Sequence, residues 1–232
     1  AFSRDTSGDF PSVLVVGEPN DEADNTKNGG KVYTYQWGTS AYSRISGLDI
    51  SGTSGNAATR EEFGNYPIKL NDAGTRIIIG AENGTNSKGQ AIVYGRADLT
   101  TTTWTQVGAK IAAPNSDYHQ FGKGVAIDGS GDIIAISDPK YGGGGASGVG
   151  ASAPGQVLIY EYNASTWVQK GPAITGNYYT STDTGDKEGR NIGISRDGNY
   201  VFSTANHAFG GKLNYPIDTS GAGLDASLNY NV

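Results

Sequence analysis

A short apolar run followed by a small or acidic turn comes round every 57 to 66 residues in this chain, and that spacing constrains the fold more than any other feature. The run reads Val13-Leu14-Val15-Val16-Gly17-Glu18-Pro19, then Ile77-Ile78-Ile79-Gly80-Ala81-Glu82, then Ile134-Ala135-Ile136-Ser137-Asp138-Pro139. It returns more faintly as Tyr200-Val201-Phe202-Ser203-Thr204-Ala205. Matching positions 17, 80, 137 and 203 gives steps of 63, 57 and 66. A period of this size means one supersecondary unit repeated, with each copy packed on its neighbours.

Each unit carries four pieces in a constant order. The first is Phe-Gly leading an apolar strand, Phe63-Gly64 to Leu70 and Phe121-Gly122 to Ile127; the last unit has Glu188-Gly189 to Ile194 and no aromatic. A tight turn follows: Asn71-Asp72-Ala73-Gly74, Asp128-Gly129-Ser130-Gly131 and Arg196-Asp197-Gly198-Asn199. Gly and Asn accept positive φ at little cost, so such turns join antiparallel strands. The apolar run is the second strand, and its consecutive apolar positions predict burial on both faces. After a variable loop, a third strand starts with Gly and reaches Tyr five residues later, at Gly30–Tyr35, Gly89–Tyr94 and Gly155–Tyr160. The fourth piece is Trp104…Gly108…Ile111 and Trp167…Gly171…Ile174, with Tyr42…Gly47…Ile50 in the first unit. Four short strands per unit predict an all-β fold, a β-propeller of about three and a half to four blades. A single domain over 1–232 would divide into units of approximately 1–52, 59–113, 114–176 and 177–232. The repeat places residues 1–5 inside a blade, which leaves two expectations: part of a larger propeller, or four blades that close with residues 1–3 completing a strand at the other end.

Composition narrows the function. The chain has 36 Gly, 14 Tyr and no Cys, so disulfides, thiolate nucleophiles and Cys-ligated zinc are excluded. Net charge is −6 with no Lys/Arg cluster, which argues against nucleic acid. No stretch approaches the roughly 18 apolar residues of a membrane-spanning helix. His119 and His207 are the two histidines and stand far apart, so no zinc-hydrolase pair exists. The glycine run 142–148 lacks the ending of a phosphate loop. Ser3-Arg4-Asp5 and Ser195-Arg196-Asp197-Gly198 are near misses to the Asp box of sialidase-type propellers. With no catalytic constellation in the sequence, the chain is expected not to be an enzyme.

The Phe63-Gly64 and Phe121-Gly122 elements resemble the FG-GAP repeats of integrin-α-like β-propellers. Gly17-Glu18-Pro19, Gly80-Ala81-Glu82 and Ser137-Asp138-Pro139 are similar to the second half of that motif. Ser195-Arg196-Asp197-Gly198 resembles its Ser-x-Asp-Gly variant. The resemblance implies an extracellular, secreted or surface-associated module that binds proteins or glycans. Family members with a calcium cage carry a long Asp-rich loop between strands one and two; here Asp128, Ser130 and Asp132 offer only two carboxylates and a hydroxyl. Ca²⁺ prefers six to eight oxygens, so no cofactor is expected beyond a weak Ca²⁺ candidate at this turn.

Variable loops 18–30, 82–89 and 138–155 all join strands two and three, and would cluster on one rim of a propeller. Loops held on a rigid scaffold are where binding residues concentrate. Candidate binding residues are Asp21, Glu22 and Asp24, the aromatics Trp37, Tyr178 and Tyr179, which stand outside the repeat, and Tyr141. Asn83 and Asn163 open N-glycosylation sequons in predicted loops. The leading expectation is therefore adhesion or recognition of a protein or glycan at a surface. The alternatives are a structural subunit that self-assembles or joins a larger complex, such as a fibre, an appendage or a virion coat, and, more remotely, a glycan-processing propeller enzyme.

Overall fold

The computed structural model describes residues 1–3, 12–19, 30–45, 47, 49–51, 63–65, 67–82, 88–114, 120–142, 153–176, 178–179, 184–185, 187–205 and 215–216. These residues form strands and turns, with no helix among them. Unit one supplies β1 (Val13–Glu18), β2 (Lys31–Trp37), β3 (Tyr42–Arg44) and β4 (Ile50–Ser51). Unit two supplies β5 (Ile68–Leu70), β6 (Arg76–Ala81), β7 (Gln90–Gly95), β8 (Thr105–Gln106) and β9 (Ile111–Ala112). Unit three supplies β10 (Val125–Ile127), β11 (Ile133–Asp138), β12 (Gln156–Asn163), β13 (Thr166–Gln169) and β14 (Ile174–Thr175). A small hairpin, β15 (Tyr178–Tyr179) with β16 (Thr184–Gly185), precedes β17 (Asn191–Ile194), β18 (Tyr200–Thr204) and β19 (Tyr215–Pro216) of unit four.

Within each unit the strands pair antiparallel in chain order, as in β10-β11-β12-β13. The fourth strand is broken into two pieces that both pair with the third: β8 and β9 on β7, β13 and β14 on β12. The break falls at the repeating glycine, and Gly108 and Gly171 hold φ near 71° and 72°, a conformation a side chain resists. Asn71 caps its own turn, its Oδ1 accepting the N–H groups of Thr75 and Arg76 at 2.9 and 2.8 Å. In unit three Asp128 does the same for Gly131 and Ile133 at 2.8 and 3.0 Å.

Neighbouring sheets meet face to face. Isolated parallel bridges tie Gly30 to Phe63, Gly89 to Phe121 and Gly155 to Glu188, so each unit's first element docks on the third strand of the unit before it. Phe63 and Phe121 are fully buried there. One apolar cluster joins Val13, Val15 and Val32 to Ile77, Ile79 and Phe63; the next joins Ile78 and Val93 to Phe121, Ile134 and Ile136. A third joins Ala135, Val157 and Ile159 to Val201. The predicted two-faced burial holds in β6 and β11, where every residue after the first is buried. Trp104 and Trp167 also serve the seams: Trp104 Nε1 donates to Thr34 Oγ1 at 3.0 Å, and Trp167 Nε1 to the Val107 carbonyl at 2.8 Å.

The pairing corrects the alignment of unit four by one residue. Ser195 N–H donates to the Tyr200 carbonyl as Asp128 does to Ile133 and Asn71 to Arg76. The three turns are thus equally long, and Thr204 rather than Ser203 corresponds to Gly80 and Ser137. The side chains agree, because Val201 and Ser203 are buried toward unit three while Tyr200, Phe202 and Thr204 are exposed. A third strand of unit four is present as β19, with Tyr215 opposite Val201 as Tyr160 is opposite Ile134.

Candidate functional rim

Antiparallel pairing brings the ends of β1, β6 and β11 and the starts of β2, β7 and β12 to one end of the sheets. The Phe63, Phe121 and Glu188 elements bridge to Gly30, Gly89 and Gly155 at that same end. The first described residues of units two, three and four thus stand at the same end as the second-to-third strand junctions, a contribution the sequence reading left out.

Polar side chains are buried at this end. Asp138, closing β11, is fully buried, and its Oδ1 accepts the Gln120 N–H at 2.9 Å. Glu82, just past β6, is 8% exposed and pairs across the seam with Lys123, Oε2 to Nζ 2.7 Å. Glu188 is 2% exposed and stands where units two and three place Phe63 and Phe121. Gln90 and Gln156 open β7 and β12 in equivalent buried positions, and Gln156 Nε2 finds no acceptor among the described residues. A carboxylate leaves water at a cost that partners must offset, and Lys123 and the Gln120 amide do so for Glu82 and Asp138. An ionised carboxylate only accepts hydrogen bonds, and here Glu82 and Asp138 accept them from groups of the protein. The sequence signal for them was present but unread: an acid in the Phe slot of a Phe-Gly element, and Gln in place of Lys31 at the head of the third strand.

The expected site residues distribute differently. Tyr141 lies on this rim, half-buried in a turn in which its N–H donates to the Asp138 carbonyl at 3.1 Å. Its own carbonyl accepts the Gly155 N–H at 3.3 Å. Asp21, Glu22, Asp24 and Asn83 lie outside the described residues. Tyr178 and Tyr179 form β15, paired with Gly185 and Thr184. Asn163 ends β12 at an exposed hairpin whose Ala164 and Ser165 take positive φ.

Trp37 is on the opposite end and does occupy a repeat position. Its N–H donates to the Ser12 carbonyl as that of Arg96 does to Thr75 and that of Tyr162 to Asp132. It packs edge-on against Tyr42 at 4.9 Å, as Tyr162 packs against Trp167 at 5.0 Å and Arg96 lies over Trp104 at 5.1 Å. Residue type varies at this position, which hid the correspondence.

Asp128, Ser130 and Asp132 also lie at the opposite end. Besides its two N–H donors, Asp128 accepts the Ser130 hydroxyl at 2.6 Å, while Asp132 pairs with Arg76. Their oxygens are committed to the turn and to a guanidinium, and coordinating Ca²⁺ would require giving these bonds up. Among the described residues no three His, Cys, Asp or Glu side chains gather as metal ligands, and no helix is long and apolar enough to cross a membrane.

No protein-family model and no curated protein matches the chain. Among solved structures, an ancestral GH74 enzyme matches with a TM-score of 0.51 and 14% identity, over 97% of this chain and 26% of its own length. A periplasmic gluconolactonase of Pseudomonas aeruginosa matches with a TM-score of 0.43 and 11% identity, over 95% of this chain and 69% of its own. The chain thus spans about a quarter of the GH74 enzyme. The expectation that the chain is not an enzyme is corrected by the first of these likenesses: the GH74 neighbour is a propeller enzyme, so the fold gives no ground for excluding enzymatic activity. Its premise, the lack of a contiguous motif, fails for a repeat fold, where residues from separate units meet at one rim without being close in sequence. The chain is an all-β protein of several antiparallel sheets whose fold is that of β-propeller proteins.

Proposed function

We propose that the protein is a surface-exposed, ligand-recognising β-propeller of the FG-GAP, integrin-α-like kind, with units one to four as its blades and the rim as its binding surface. The observation that carries this reading is that the buried polar groups Glu82, Asp138, Glu188, Gln90 and Gln156 all stand at one end of the sheets, where second strands end, third strands begin and the Phe63, Phe121 and Glu188 bridges lie. A polar rim with Tyr141 beside it suits a hydroxyl-rich glycan, whose hydroxyls donate to carboxylates and whose ring faces stack on aromatics. A second reading, glycan turnover at the same rim, is favoured by three carboxylates that are each at least nine-tenths buried.

A glycan array with the wild-type chain and with a Tyr141→Ala, Lys140→Ala variant tests the first reading. Binding that drops in the variant supports it; no retained glycan in either protein sinks it. Incubating each bound glycan with wild type and with Glu188→Gln, and assaying newly formed reducing ends, tests the second. Release by wild type that Glu188→Gln abolishes establishes turnover, and no release from any bound glycan refutes it.

A further inference from the structure

Arg96 holds a charge where the repeat elsewhere holds a ring. It follows β7 at the end of the sheets opposite the rim, and Trp37 and Tyr162 take its place in units one and three. Those two are half-buried aromatics that pack on Tyr42 and Trp167. Arg96 is only 7% exposed. A guanidinium stays protonated inside proteins, so the slot carries a full positive charge out of water.

The protein meets this charge only in part. Nε donates to the Gly74 carbonyl at 3.2 Å, and the guanidinium lies over the Trp104 ring, 5.1 Å from its centroid. Nη1 and Nη2 are both buried and find no acceptor among the described residues. Asp98 acts on the charge through space, but its Oδ1 is taken by the N–H and hydroxyl groups of Thr100 and Thr101. Buried cations are ordinarily paired and buried N–H groups ordinarily bonded. An indole face attracts the cation but offers no acceptor in the plane of the guanidinium. What would complete the slot is negative and carries two oxygens, to match the parallel N–H groups of the fork. Solvent is close, because the next residues, Ala97 and Asp98, are exposed.

We infer that this slot is an oxyanion-binding site, in which Nη1 and Nη2 of Arg96 hold a carboxylate or a phosphate group at the seam of units one and two. Trp104 supports the fork from below, and its Nε1 is anchored across the seam on Thr34 Oγ1 at 3.0 Å. The bound anion converts an isolated charge into a two-pronged ion pair. The site stands at the opposite end from the rim and does not rest on the glycan reading.

Urea midpoints measured in chloride, and with acetate or inorganic phosphate at matched ionic strength, test this. At least one oxyanion is expected to raise the wild-type midpoint along a saturating curve, as binding to the folded state requires, and the two arms show which group fits. Arg96→Tyr, which installs the unit-three residue, is expected to keep the wild-type circular dichroism, to be at least as stable in chloride, and to lose the saturable rise. Any unsaturating rise common to both proteins is the general effect of a salt excluded from protein surface. Arg96→Lys keeps the charge without the fork and is expected to bind at least about tenfold more weakly. A wild-type midpoint that neither oxyanion raises above its value in chloride overturns the inference. So does a saturable rise that persists in Arg96→Tyr, or that Arg96→Lys retains at full affinity.

Discussion

Phe121 tests whether the Phe-Gly element holds the sheets together. Its ring is fully buried among Ile78, Val125, Ile134 and Ile136, so it touches both units that meet at its seam. An aromatic side chain removes ~150–250 Å² from water, an upper bound of ~4–6 kcal/mol at ~25 cal/mol per Å². Truncation leaves the Cβ in place and opens a cavity that rigid neighbouring strands close only in part, so Phe121→Ala is expected to cost about 3–5 kcal/mol. At roughly 2–4 °C per kcal/mol for a domain of this length, the melting temperature should fall by about 6–20 °C. Urea denaturation followed by circular dichroism and tryptophan fluorescence gives the loss directly. Phe63→Ala is the internal control: it fills the same slot in a separate cluster and should cost the same within about 1 kcal/mol, and the double variant should show the sum. A loss below about 1 kcal/mol for Phe121→Ala would refute the assignment, since no well-packed buried ring is that cheap to remove.

Three further outcomes follow from local geometry. Because Asp128 and Asp132 are already bonded within the turn and to Arg76, millimolar Ca²⁺ is expected to leave the melting temperature unchanged; a rise that Asp128→Asn abolishes would show that the turn releases those bonds to the ion. Hydrogen bonds from the Ser195 hydroxyl and from Asn199 hold the Asp197 carboxyl below its ordinary value of 3.8. A lowered value means that its contribution is complete above about pH 4 and lost as pH falls through the folded-state value. Urea midpoints should therefore drop below pH 4 less steeply in Asp197→Asn than in wild type, and parallel curves would disprove the role. Burial pushes the Tyr160 phenol up to about 12 from 10.0, so its stabilising effect is intact below pH 10 and fades between 10 and 12. Ultraviolet titration should show a tyrosine that ionises only near the upper limit, absent in Tyr160→Phe.

The strands were legible because their signals are local. Apolar runs, Asp-Gly turns and the Gly-to-Tyr spacing each act within a few residues, and β6, β7, β11 and β12 fall where those signals stand. Unit four was matched one residue out because Tyr200 and Phe202 blur its run; the Ser195–Tyr200 bond and the burial of Val201 and Ser203 show the true register. Trp37 read as solitary because Arg96 and Tyr162 share its place without sharing its chemistry. The rim was legible as loops but not as a polar layer. Burial of Glu82 and Glu188 depends on contacts from a neighbouring unit, more than thirty residues away for Glu82 and Lys123 and for Glu188 and Gly155. A linear reading sees an acid in a turn and assigns it to solvent.

The seam at Gly80 has a consequence of a different kind. A Cβ added there would run into the Gly122 carbonyl oxygen, and one on Gly17 into that of Gly64, so main chain lies directly on main chain across these seams. Ser137 fills the same place beside Gly189, where the fit admits one small side chain. Alignment between adjoining sheets is thus written largely in peptide atoms, which every duplicated segment carries with it. A gene segment copied in tandem would bring both mating surfaces ready-made, and the copies could then diverge in their loops without losing their grip on one another. That is a route by which a chain like this lengthens or shortens by whole units over evolutionary time while the loops at its rim are rewritten.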